Sequence, residues 1–252
     1  MRLFAGAAIA VALGSVVALP AEAAATKVVY GYAWADGQGH LRIVPKSATF
    51  VKATGGFVGY RLKPVSGAKE VRLDYTKATK LAFGRVTVAC DLKETEGRVA
   101  VDRKGLGRTA CKPADLAAGL QRGVTPLRVE YRGSMAVKIN EFLVDNWPNS
   151  RTGRGTIKRI NDNSVLFATG GKTIKLGYSY TTFFYRATAR CPDGWLAGEP
   201  VNAGKNGLGK MSCSAADLTK VLKSQKHPVL VQLRYSPEVG GIDEVWEIYG
   251  DA

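Results

Sequence analysis

The sequence predicts an α+β protein of two repeated units, each an antiparallel β-sheet with one short helix and one disulfide. Three observations carry this prediction. A stretch of the chain recurs 102 residues later, each copy holds one pair of cysteines, and in each copy period-two alternation is interrupted once by a helical pattern.

The first copy reads Gly105-Leu106-Gly107-Arg108-Thr109-Ala110-Cys111-Lys112-Pro113-Ala114-Asp115-Leu116. The second reads Gly207-Leu208-Gly209-Lys210-Met211-Ser212-Cys213-Ser214-Ala215-Ala216-Asp217-Leu218. The offset of 102 continues through Leu120 and Leu222, Pro126 and Pro228, and Arg132 and Arg234. Upstream, residues 85–90 match 186–191 at 101, and downstream residues 139–142 match 242–245 at 103. This organises the chain as a first unit at 26–146, a linker at 147–155 and a second unit at 156–252. The linker is read from its turn formers and polar residues, and Gly-rich extra material at 52–69 reads as a surface loop or hairpin of the first copy alone.

Residues 1–25 carry Arg2, an apolar run of 17 residues from Leu3 to Leu19, Pro20 and a small-residue segment ending Ala23-Ala24-Ala25. That order is an export signal with cleavage after Ala23 or Ala25, and the run is short and Ala/Gly-rich for a membrane span. The expected product is secreted and extracellular, with no membrane association after cleavage.

In each copy a strand leads to the first cysteine, with Val86, Val88 and Cys90 on one face. A helix follows the second cysteine. Pro113 suits its first position in copy one, Ser214 and Asp217 resemble a capping box in copy two, and Leu116 with Leu120, or Leu218 with Val221 and Leu222, form the apolar stripe. Alternation then resumes at Leu127, Val129 and Tyr131, and at Val229, Val231 and Leu233. Final strands are expected at 136–144 and 244–249.

Four cysteines in an exported chain are expected to be oxidised, and four permit three pairings. The duplication selects Cys90 with Cys111 and Cys191 with Cys213, enclosing 20 and 21 residues at matching places. These separations are too wide for a zinc knuckle, and His40 and His227 are the only histidines, so no metal or other cofactor is expected.

The formal charge is +15, and removing residues 1–25 leaves it unchanged. The first unit carries 21 basic and 11 acidic residues and the rest of the chain 14 and 9, so both halves attract anionic partners such as a cell-wall polymer. No GxSxG or HExxH string occurs in the mature chain, and Glu94 and Glu96 read as solvated charge, so no catalytic residue is expected. Gly105-Leu106-Gly107 and Gly207-Leu208-Gly209 precede a cysteine rather than open a helix, so they read as tight turns. Tyr178, Tyr180, Phe183, Phe184 and Tyr185 read as core and cross-strand pairs, and nothing points to sequence-specific nucleic acid.

The order strand, Cys, Gly/Pro-rich loop, Cys, Ala-Asp-Leu helix, Pro, strand, turn, strand resembles the streptomycete subtilisin inhibitor-like family. The resemblance rests on Thr188-Ala189-Arg190-Cys191-Pro192, Ala216-Asp217-Leu218 and Pro228-Val229-Leu230-Val231, and on Leu127-Arg128-Val129-Glu130-Tyr131 with Val137-Lys138-Ile139-Asn140-Glu141-Phe142. The family's second disulfide is missing here, its long reactive loop has no counterpart, and two residues separate each cysteine from its Ala-Asp-Leu. The resemblance implies a non-catalytic protein that binds or inhibits a secreted serine protease. Arg122 and Lys226, between helix and next strand, are then the side chains placed to enter an acidic specificity pocket.

Overall fold

The structure, a computed structural model, describes residues 25–78, 80–95, 97–195 and 201–249. Apart from Ala25, the expected export signal lies outside these residues. The first unit comprises β1 (Lys27–Ala35), β2 (His40–Lys52), β3 (Val58–Pro64), β4 (Val71–Asp74), β5 (Ala82–Arg85), β6 (Thr109–Cys111), α1 (Pro113–Arg122), β7 (Thr125–Arg132) and β8 (Met135–Glu141). The second comprises β9 (Arg151–Asn161), β10 (Ser164–Thr169), β11 (Lys172–Gly177), β12 (Phe183–Arg186), β13 (Met211–Cys213), α2 (Ala215–Ser224), β14 (Val229–Ser236) and β15 (Gly241–Glu247). The protein is therefore β-rich, with two similar sheet units and two short helices, where the sequence suggested a more even α+β mixture.

Each sheet closes on itself. β1 pairs β2 and β7, β2 pairs β4, β7 pairs β8, and a single parallel bridge from Asp74 to Met135 joins β4 to β8. In the second unit the ring runs β9, β10, β11, β15, β14, closed by a parallel bridge from Gly177 to Gly241. Each unit is thus a small, partly open five-stranded barrel whose helix precedes the fourth barrel strand. β5 and β12 run parallel to β8 and β15, beyond the closing bridges, so the sheets are mixed rather than purely antiparallel.

Barrel closure this tight needs a sharp bend in the first strand. A Cβ at Gly31 would run into the carbonyl of Val44, and one at the equivalent Gly155 into that of Ala168, so glycine is required at both corners. Leu41, Ile43, Leu73, Leu127, Val129 and Ile139 fill the first barrel, sealed by Leu116 and Leu120 of α1. Val165, Phe167, Leu176, Val231, Leu233 and Val245 fill the second, sealed by Leu218 and Leu222 of α2. The expected capping box is present. Ser214 Oγ accepts from Asp217 N at 3.2 Å, and Asp217 Oδ2 accepts from Ser214 N at 3.0 Å. The disulfides join Cys90 to Cys111 and Cys191 to Cys213.

Three expectations need correction. The strand expected to reach Cys90 stops at Arg85, because the next residues curl around its guanidinium, and Val88 is exposed. The expected linker is half structured: Trp147 packs on Tyr32 with ring centroids 5.3 Å apart, and residues 151–155 are the first half of β9, paired to β14. The extra material of the first copy, expected as a loop or hairpin, belongs to a hairpin formed by the outer half of β2 with β3.

The register of the repeat also shifts. Leu127 faces Glu141 as Val231 faces Glu247, and Phe83 pairs Ile139 as Phe184 pairs Val245. The offset is therefore 104 from β7 to β14 and 106 from β8 to β15, not 102 and 103. The connection from α2 to β14 is longer by two residues than that from α1 to β7, and a slip of two leaves strand alternation unchanged.

Candidate functional site

The outer strands of each unit converge on a buried arginine. Arg186 Nη2 and Nε meet Glu247 Oε1 and Oε2 at 3.0 and 3.2 Å, and Ala187 N donates to the same carboxylate at 2.9 Å. The remaining guanidinium hydrogens go to the carbonyls of Cys191, Asp193 and Gly194, at 2.8, 2.5 and 2.9 Å. Phe184 and Trp195, stacked on each other with centroids 5.9 Å apart, lie 5.5 and 5.9 Å from its Cζ. The first unit repeats the device: Arg85 Nε meets Glu141 Oε1 at 3.0 Å, Val86 N donates to Oε2, and Nη1 reaches the carbonyls of Cys90 and Leu92. Each disulfide loop is therefore wound around a buried cation, fully engaged in the case of Arg186. The sequence reading matched Arg85 with Arg186 but missed their carboxylate partners, because the slipped register paired Glu141 with Glu244.

The two barrels are docked. Trp34 Nε1 donates to the carbonyl of Val239 at 2.9 Å, and its ring covers Gly177 and Gly241, the residues that close the second barrel. Buried Arg42 donates to Gly240 O at 3.1 Å and to Glu70 at 2.8 Å. Asp36, buried, accepts from Asn161 at 3.0 Å and Arg72 at 2.9 Å and lies 3.5 Å from Lys175. Burial works against its ionisation, but the charge of Lys175 and the hydrogen bonds from Asn161 and Arg72 prevail and hold its carboxyl below the usual range.

The seam between the units opens into two adjoining clefts of about 430 and 620 Å³, and Arg122 lines both. Its backbone is fixed across the seam, where Thr181 Oγ1 donates to Arg122 O at 3.1 Å. The first cleft also presents exposed Lys93, Trp147 and Tyr180, and the second presents Phe183, Arg234 and Glu244. Arg122, Lys93 and Arg234, with several exposed rings around a concave seam, can hold an anionic, flat-faced ligand.

The paired candidates from the sequence separate in space. Arg122 is half-buried at the end of α1, joined to β7 by Gly123 and Val124 alone, whereas Lys226 is exposed in the turn between α2 and β14. Neither lies on a long loop. His40 approaches Asp74 Oδ2 at 3.6 Å, and hydrogen bonds from the backbone and hydroxyl of Thr76 hold that carboxyl down at about 2. The two groupings of potential metal-ligand atoms among the described residues each consist of a disulfide and Asp115 or Asp217, so their sulfurs are already bonded to each other. Glu94 lies exposed at the mouth of the first cleft, and Glu96 lies outside the described residues.

The aromatic run divides by strand parity. Phe184 and Tyr178 are core, but Phe183 and Tyr185 point outward. No family model, curated protein or solved structure matches this chain. Among the described residues, no helix is long and apolar enough to cross a membrane.

Proposed function

We propose that this is an exported, non-catalytic binding protein for an anionic extracellular partner such as an acidic cell-wall polymer. The observation that carries the reading is the seam at Arg122, where Lys93 and Arg234 accompany the guanidinium while the buried carboxylates Glu141 and Glu247 are held by the internal cations Arg85 and Arg186. The surface excess of positive charge is thus left for an outside partner. Small five-stranded barrels also serve elsewhere as scaffolds for oligosaccharide- and nucleic-acid-binding surfaces, an architectural likeness that supports binding without naming a ligand.

The experiment is retention of the mature protein on heparin and polyglutamate beads. Affinity should fall roughly tenfold or more between about 0.05 and about 0.5 M NaCl, and Arg122→Ala with Lys93→Ala should weaken it. Salt-insensitive or absent retention would refute the reading.

The family resemblance motivates a second reading, a secreted serine protease as partner, and the exposure of Lys226 in its turn favours that position as the contact. Inhibition of a trypsin-like protease that disappears in Lys226→Ala would support it. Rapid cleavage at Lys226 without inhibition would reject it, because a loop that is not held rigid is a substrate.

A further inference from the structure

The outer face of the second barrel carries an aromatic row that the sequence reading assigned to packing. Tyr185 and Trp246 are cross-strand partners on β12 and β15, with centroids 5.5 Å apart and planes inclined by 13°. Phe183 continues the row at 6.4 Å and 20°, and its side chain is exposed. Three near-parallel rings on the outward face of the strands, each offset from and partly stacked on the next, form a stepped platform with Phe183 as its most exposed ring.

The first unit shows what such a face looks like when covered. Gly84 and Asn140 occupy the cross-strand positions of Tyr185 and Trp246. Over the neighbouring strands, the β2–β3 hairpin lays Tyr60 and Leu62 into a cluster with Phe142, and Tyr60 packs at 5.3 Å on Tyr30 and at 5.0 Å on Phe142. The second unit has no counterpart of that hairpin, so its face stays open and is the one furnished with rings.

The surroundings of the row specify its ligand. At the Trp246 end, Gln232 is the next cross-strand residue and its amide oxygen accepts from Arg154 Nε at 3.2 Å. At the Phe183 end, Glu244 is the cross-strand neighbour, 3.7 Å from Arg234, and the row runs into the cleft that holds Arg122. A platform of rings accepts the C–H face of a pyranose, and the amide and carboxylate at its edge accept hydroxyl hydrogens. Arg122 and Arg154, not offset by Glu244, select carboxylates. Glu244 sits beside the path as an acceptor for sugar hydroxyls and disfavours a phosphate chain, which offers it few hydroxyl donors.

We infer that the Phe183–Tyr185–Trp246 row and the Arg122 cleft form one track for an acidic polysaccharide, sugar faces on the rings and uronate-type carboxylates at the arginines. This rests on the anionic-partner reading and names the class of that partner.

The test is calorimetric titration of the mature protein with oligogalacturonate, with a neutral cello-oligosaccharide and an oligo-dT strand as competitors, and folding of each variant checked by circular dichroism. Oligogalacturonate should bind. Phe183→Ala with Tyr185→Ala should weaken it about tenfold, and Arg154→Ala should weaken the acidic but not the neutral sugar. If polyanion binding depends on Arg122 but is indifferent to the aromatic substitutions, the track is refuted while the anionic-partner reading stands. If no polyanion binds, both fall. Preference for oligo-dT, or concentration-dependent dimerisation that Phe183→Ala abolishes, would replace the sugar by a nucleic acid or a second copy of the chain.

Discussion

Trp34 of the first barrel seals the closing bridge of the second: its indole covers Gly241, where an added Cβ would strike the ring, and donates to Val239 one turn away. Trp34 and the two closing glycines, Gly177 and Gly241, are therefore central to the seam that holds the candidate site, beside the polar contacts of Arg42, Asp36 and Arg122.

Trp34→Ala should open this seam. Removing a buried aromatic and leaving Val239 O without its donor is expected to cost about 3–5 kcal/mol. Urea unfolding should separate into two transitions, and small-angle scattering should show a larger radius; a single unshifted transition would contradict the docking.

Gly241→Ala tests the same contact from the other side. Its Cβ would meet the Trp34 ring, so the melting midpoint should fall, and the double variant with Trp34→Ala should recover part of the loss, as coupled neighbours do.

Glu247→Gln should strand the charge of Arg186, which is fully buried, and cost about 3 kcal/mol or more by denaturant unfolding. Replacing the exposed Glu94 should change stability by less than about 0.5 kcal/mol.

The docking should weaken in acid. Because the folded-state value of Asp36 lies below its ordinary 3.8, the carboxylate contributes stability above that pH and loses it as the pH falls through the lower folded value. Asp36→Asn should flatten this acid limb of stability, measured by thermal melts from neutral pH downward. Asp74, held at about 2, should contribute a separate loss near that pH that Asp36→Asn leaves in place.

Replacing Cys191 and Cys213 by alanine should cost about 3 kcal/mol on the loop-entropy estimate. The loop should still fold around Arg186, which keeps its carbonyl ligands, so the circular dichroism of the native state should persist.

The duplication, the two cysteine pairings, the capped helices and the alternating core positions could be read from residue order, because each depends on neighbours within a few positions or on a repeat visible in letters. The binding surface was only partly legible. Arg122 was singled out, but as a protease contact between helix and next strand rather than as the lining of a cleft between the two units. Phe183 and Tyr185 were noticed and assigned to packing, since parity alone cannot tell an outer face that is covered from one left bare.

By itself the chain determined two disulfide-closed β units and their local elements. Tertiary structure decided which strands close each barrel, which carboxylate meets which arginine and how the units dock. The slip of β14 by two residues keeps the same side chains facing in, so the alternation is blind to it, while the letter match of β15, out by three, put Glu244 where Glu247 belongs. Only the long-range contacts, Arg186 with Glu247 and Trp34 with Gly241, select one register and one seam.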